Sequence, residues 1–134
     1  MMQGFEDVTL TYKGVDYVIP ANRVLMAVAD VEDAVRGTGQ RAALQILLQS
    51  GGPPLPRLAM GYAAALKAAG ANVSADEIYL AMQEALAQGD AAEVMNGAQS
   101  AVMALIAIIS PPMAREILKQ TGGDEDPGEA QAAD

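Results

Sequence analysis

A chain of 134 residues with 51% hydrophobic residues, a formal charge of -9 and neither cysteine nor histidine excludes much before any pattern is read. Disulfides, thiolate nucleophiles, Cys/His zinc sites and imidazole acid–base catalysis are absent by residue type, and the acidic balance offers no basic stripe to neutralise phosphates. The length suffices for one domain with its own core, built from Ala, Leu, Val, Ile and Met because Phe5 and four tyrosines are the only large aromatics, a composition that favours helices.

"DVTLTYKGVDYVIP" (Asp7 to Pro20) is the one convincing strand region. Val8, Leu10 and Tyr12 alternate with Thr9, Thr11 and Lys13, and Val15, Tyr17 and Ile19 alternate with Asp16 and Val18, the period of a half-buried strand. Lys13-Gly14 supplies the tight turn, Gly14 being free to take positive φ. The spacing predicts a two-stranded hairpin with one apolar face. That face needs a helix layer or another subunit to cover it, because an isolated hairpin is marginal in water.

From Asn22 the period lengthens to that of a helix. Asn22 is the expected N-cap, Val24, Val28, Val31 and Val35 share a face, and Gly37 supplies the stop. Asp30, Glu32 and Asp33 lie mostly on the opposite, solvated side. A second helix is expected over Gly39 to Gln49, with Leu44, Leu47 and Leu48 inward. "GGPPLP" (Gly51 to Pro56) then reads as a loop, since its prolines cannot continue a helix.

"LAMGYAAALKAAGANVSADEIYLAM" (Leu58 to Met82) reads as a helix, a break at Gly70 and a second helix. The first presents Leu58, Tyr62, Leu66 and Ala69. The second opens with a capping box: the Ser74 hydroxyl accepts from the Glu77 amide while the Glu77 side chain reaches back to the Ser74 amide. Ile78, Met82 and Leu86 continue its inward face.

Gly89 and Asp90 mark another break, before a longer helix over about Ala91 to Ile109 that Gly97 weakens. It is apolar nearly all round, so it is either central in the core or covered by a partner. Its stripe of Val94, Met95, Ala98, Val102, Met103, Leu105, Ile106 and Ile109 is the candidate partner-binding surface, and Met60, Met82, Met95, Met103 and Met113 suit an adaptable groove. The run "AVMALIAII" is shorter than the ~20 residues that span a bilayer; with no basic-then-apolar leader at the start, no membrane association is expected. Ser110-Pro111 opens a last helix to about Gln120. "TGGDEDPGEAQAAD" has no large apolar side chain and is expected to be a disordered acidic tail. Its five acids lie where there is no Lys or Arg, and setting them aside leaves -4 for the body of the chain.

The expected fold is therefore mainly α (α+β), with an N-terminal two-stranded β-hairpin followed by five to six short α-helices. Residues 1–121 form a single helical domain and residues 122–134 the tail.

The motifs for chemistry are weak. A helix-turn-helix reader would place Asp76 and Glu77 against phosphates, with only Arg57 and Lys67 nearby to offset them. "DEDPGE" is out of register with a calcium loop, its glycine falling fifth rather than sixth. "GTGQ" (Gly37 to Gln40) lacks the P-loop lysine, the serines lack a base partner, and the Asp-Ser-Leu of acyl carriers is absent. No catalytic, metal or cofactor site is expected.

The hairpin "VTLTYKGVDYVIP", the helix after it, "LAMGYAAALKAAGANVSADEIYLAM" and the acidic end together resemble the small tail assembly chaperones of long-tailed bacteriophages and the related gene transfer agents. The likeness covers roughly residues 7 to 90, running from the strand pair through Val24 to Asp33 to Ala63 to Glu77, and rests on caps and apolar spacing. It implies a non-enzymatic virion-assembly factor in the cytoplasm of a bacterial host, absent from the mature virion. Its partner would be the tape measure protein, held soluble through amphipathic helical segments until tail tube subunits polymerise around it. The resemblance also implies self-association into a homo-oligomer, with no nucleic acid and no membrane as partners. The alternatives are a small helix-turn-helix-like regulatory protein and a structural head–tail adaptor.

Overall fold

The computed structural model describes residues 5–120. The expected acidic tail lies outside these residues. Within them the chain runs β1 (Val8–Tyr12), β2 (Val15–Ile19), a 3₁₀ turn (Ala21–Arg23), α1 (Val24–Arg36), α2 (Ala43–Leu48), α3 (Leu55–Ala68), α4 (Ala75–Ala87), α5 (Ala91–Ile109) and α6 (Pro111–Gln120). The protein is mainly α with an N-terminal hairpin, as the periodicity predicts.

The hairpin pairs Val8 with Ile19, Leu10 with Tyr17 and Tyr12 with Val15. Lys13 (φ 51°) and Gly14 (φ 78°) both occupy the left-handed region, the conformation a two-residue I′ loop requires. Leu10 and Ile19 are buried on the apolar face. The face is covered within the same chain: β2 packs on α3, and the Tyr62 hydroxyl of α3 donates to the Thr11 carbonyl at 2.8 Å.

Helix α3 is central, packing against α1, α4, α5 and β2. The closest approach is at Gly61, where a Cβ would sit 2.7 Å from Val35 Cγ2 of α1 and 2.9 Å from Leu105 Cδ1 of α5. The missing side chain is what lets three helices meet at one point. Around it lie Val24, Val31, Val35, Leu58, Leu66, Leu105, Ile106 and Ile108, all fully buried, and no polar or charged residue is buried with them among the described residues. Val28, expected on the same face of α1, is half-buried at its edge.

Several boundaries differ from expectation. Asn22 does not cap α1: it lies in the 3₁₀ turn. Asp7, from before β1, caps that turn instead by accepting the Ala21 amide at 2.8 Å, a long-range bond that helix-start signals do not register. Helix α2 is shorter than Gly39 to Gln49: the Ala42 amide donates to the Gln45 side-chain Oε1 at 3.1 Å, which caps a late start. Its inward residues are Ala43, Ile46 and Leu47, while Leu48 is exposed. Helix α3 starts inside the expected loop, with Pro56 in its first turn, where proline's lacking amide costs nothing.

Helices α3 and α4 end alike. The Ala71 amide reaches the Leu66 carbonyl at 2.9 Å and the Gly70 amide reaches Lys67 at 3.0 Å; Asp90 to Ala85 (3.0 Å) and Gly89 to Leu86 (3.1 Å) repeat the pattern. Both are Schellman closures, with Gly70 and Gly89 at φ 88°.

Candidate partner-binding groove

The stripe nominated on α5 divides in two. Leu105 (0% exposed) and Ile106 (1%) are core residues, and Val94 (8%) is also buried; these three are not available to a partner. Ala98, Val102, Met103 and Ile109 are half-buried against the core, and Met95 is exposed. The correction has a physical cause. A helix apolar on all sides does not show which sides its own fold will cover, and here α1, α2, α3, α4 and α6 all pack on α5. By length and composition alone, α5 is long and apolar enough to cross a membrane, at 19 residues. In this fold its C-terminal half contributes Leu105, Ile106 and Ile108 to the core.

One side of α5, running from Glu93 to Ala104, instead forms one wall of an open groove of about 590 Å³. Gly97, Ala98, Ala101 and Ala104 make that wall, Ile78, Ala81, Met82 and Ala85 of α4 contribute the second, and the hairpin the third. On the hairpin side five consecutive residues, Thr9 through Lys13, face the groove. A groove along a strand's face would meet alternate residues; meeting every one means that it follows the strand's edge.

The register says which main-chain groups lie on that edge. With a two-residue loop, Tyr12–Val15, Leu10–Tyr17 and Val8–Ile19 are the hydrogen-bonded pairs, so the main-chain groups of Thr9 and Thr11 point away from β2. The Tyr62 bond to the Thr11 carbonyl agrees with this. So does the 2.7 Å bond from Thr11 Oγ1 to Asp16 Oδ1, since side chains approach closely in non-hydrogen-bonded pairs.

Ser74 caps α4 as expected, its Oγ accepting the Glu77 amide at 3.1 Å. The reciprocal half of the box is not what Glu77 makes. Its carboxylate accepts from the Tyr12 hydroxyl at 3.3 Å and lies 3.8 Å from Lys13 Nζ. The start of α4 is thereby latched to the hairpin turn at one end of the groove. Burial, then the Glu77 charge and hydrogen bond, raise the Tyr12 pKa, and burial raises that of Tyr62. Both phenols stay protonated, and both remain donors, at neutral pH.

A second groove of about 650 Å³ lies between the residues before β1 and α6, where Phe5, Val8, Val24 and Leu118 meet Glu6, Asp7 and Arg115. Among the described residues no three of Asp, Glu, His and Cys gather where a metal ion could be held.

Sequence reasoning reached Ala98 and Met82 of the first groove but missed the Thr9–Thr11 edge and the low wall. Both left signals. Loop length fixes the outward parity of Thr9 and Thr11, and Gly97, Ala101 and Ala104 recur at helical spacing on the side of α5 away from Ile106. No protein-family model, curated protein or solved structure matches this chain.

Proposed function

We propose that this protein is a non-enzymatic assembly chaperone of the phage tail type, acting in the host cytoplasm. It keeps the tape measure protein soluble by covering amphipathic segments, expected to become helical, until the tail tube forms around them. The observation that carries the reading is the apolar groove walled by β1, α4 and α5, which no element of the described chain covers. Two of its walls, the hairpin and α4, lie in the region that carries the resemblance to tail assembly chaperones, and the third, α5, lies beyond it. Met95 of α5 and Leu80 of α4 are exposed as well. Self-association into a homo-oligomer belongs to the same proposal.

Co-expression with the tape measure protein from the same gene cluster tests it. The soluble fraction of that partner is expected to rise with the wild-type chain and to fall back when Ala98→Asp places a charge in the groove. An unchanged soluble fraction defeats the proposal. Recovery of the chain from purified particles would favour a structural adaptor instead, and a shift of duplex DNA at low salt the regulatory alternative.

A further inference from the structure

We propose that the tip of the hairpin, residues 11–16, is a flap on the groove, held shut by Glu77 and swinging out about the Leu10–Tyr17 pair to admit a partner. This rests on the groove being a partner site and adds how access to it is controlled.

Burial along the hairpin supplies the first argument. Its base is sealed: Ile19 is 0% exposed and Leu10 1%, and the Asp7 carboxylate ties the chain before β1 to the turn after β2 through the Ala21 amide. Val15 belongs to the same apolar face, paired with Tyr12 at the far end, yet it is 50% exposed. Apolar anchoring therefore ends at the Leu10–Tyr17 pair, and none of residues 11–16 is buried. A segment with so little buried surface opens locally without unfolding the rest.

The nature of the ties supplies the second argument. The Tyr12 hydroxyl donates to Glu77 Oε2 at 3.3 Å, and Lys13 Nζ lies 3.8 Å from the same oxygen. Lys13 Nζ also stands 5.6 Å from the centre of the Tyr12 ring, so the three side chains form one cluster. The Tyr62 hydroxyl adds its bond to the Thr11 carbonyl. Among the described residues these are the polar contacts between the tip and the helices. The Lys13 and Glu77 side chains are 64% and 48% exposed, so water replaces their contacts as the tip leaves.

Position supplies the third. Thr11, Tyr12 and Lys13 line the groove on one side, and Ile78, Ala81 and Met82, which follow Glu77 along α4, line it on another. The cluster at Glu77 thus joins two walls at one end of the trough, and its release parts them. An amphipathic helix, about 10–12 Å across with its side chains, enters from the side when the walls part and is held when the tip returns.

The test places nitroxide labels at Asp16→Cys and Glu84→Cys in the full-length protein, a pair made unique by the absence of native cysteine. Pulsed dipolar spectroscopy is expected to show a dominant short distance and a minor longer one. Adding Glu77→Ala is expected to raise the longer population at least about twofold, with the Ser74 cap kept because it uses the main-chain amide. Raising salt from ~0.05 to ~0.5 M is expected to raise that population with Glu77 in place and to leave it unchanged in Glu77→Ala. Should Glu77→Ala unfold α4, Tyr12→Phe with Lys13→Met removes the same contacts from the hairpin side and is expected to give the same shift. Unchanged distances in both variants, or a salt response that survives Glu77→Ala, overturn the proposal. If the distances do not move while co-expression still rescues the partner, the flap is wrong and the chaperone reading stands. Opening of the tip without rescue supports the flap and defeats the chaperone reading.

Discussion

The two halves of α5 differ in composition as well as in role: "AAEVMNGAQS" (Ala91 to Ser100) mixes small and polar residues, whereas "AVMALIAII" (Ala101 to Ile109) is apolar throughout. From Ala101 to Ile109 the helix threads the centre of the molecule, with Leu105, Ile106 and Ile108 sealed between neighbouring helices. From Ala91 to Ser100 it stands at the edge, where Gly97 and Ala98 line an open groove that Ala101 and Ala104 continue along one side of the central half. Two glycines mark the same contrast. Gly61 is crowded by Val35 and Leu105, whereas a Cβ on Gly97 meets nothing within 4 Å. A helical glycine alone therefore does not separate a position that holds the fold from one that offers a surface; what lies opposite it does.

Substitutions on either side of this divide are expected to separate by size. Leu105→Ala empties a fully buried site and is expected to cost about 2–5 kcal/mol in denaturant unfolding. A loss under about 1 kcal/mol would mean that the C-terminal half of α5 is not central. Gly61→Ala forces a methyl into the three-helix crossing, and overpacking of this kind is expected to lower stability by about 1–3 kcal/mol. Thermal unfolding would show it, and a neutral result would deny the close approach of α1, α3 and α5.

At the latch, Ser74→Ala removes the α4 cap and should cost about 1 kcal/mol. Glu77→Gln keeps that cap, which uses the main-chain amide, and perturbs only partly exposed contacts to Tyr12 and Lys13. It is expected to cost less than about 1 kcal/mol and to raise hydrogen exchange at the hairpin turn. The smallest effect belongs to the open half of α5. Gly97→Ala is expected to stabilise by about 0.5–1 kcal/mol, because it removes helix-interior glycine without a clash. Destabilisation there would place a neighbour against Gly97 and close the groove.

Much of the local structure was legible because its causes are local. The alternation from Val8 to Ile19, the Lys13-Gly14 loop, the Ser74 cap, the stops at Gly37, Gly70 and Gly89 and the bounds of α5 each follow from residues within one turn or one strand. The misses share a different property. Asn22 lost its cap role to Asp7, Glu77 turned from Ser74 to Tyr12 and Lys13, and Leu48 was left outside when α2 started late. Each involves a partner elsewhere in the chain or a competing bond of similar strength. The candidate site was legible only in part for the same reason: Met95 and Ala98 stayed accessible while Val94, Leu105 and Ile106 did not.

By itself the amino-acid sequence determined the order of elements, their approximate ends, the burial of a hairpin face and the absence of cysteine and histidine chemistry. Periodicity, caps and turn residues act over a few residues, and their energies do not depend on the rest of the fold. Only the tertiary structure decided which side of α5 is covered, why Gly61 carries no side chain, and that the free edge of β1 faces an apolar trough rather than open solvent. Those outcomes depend on which surfaces meet, and a helix apolar all round is compatible with several such meetings until its neighbours are in place.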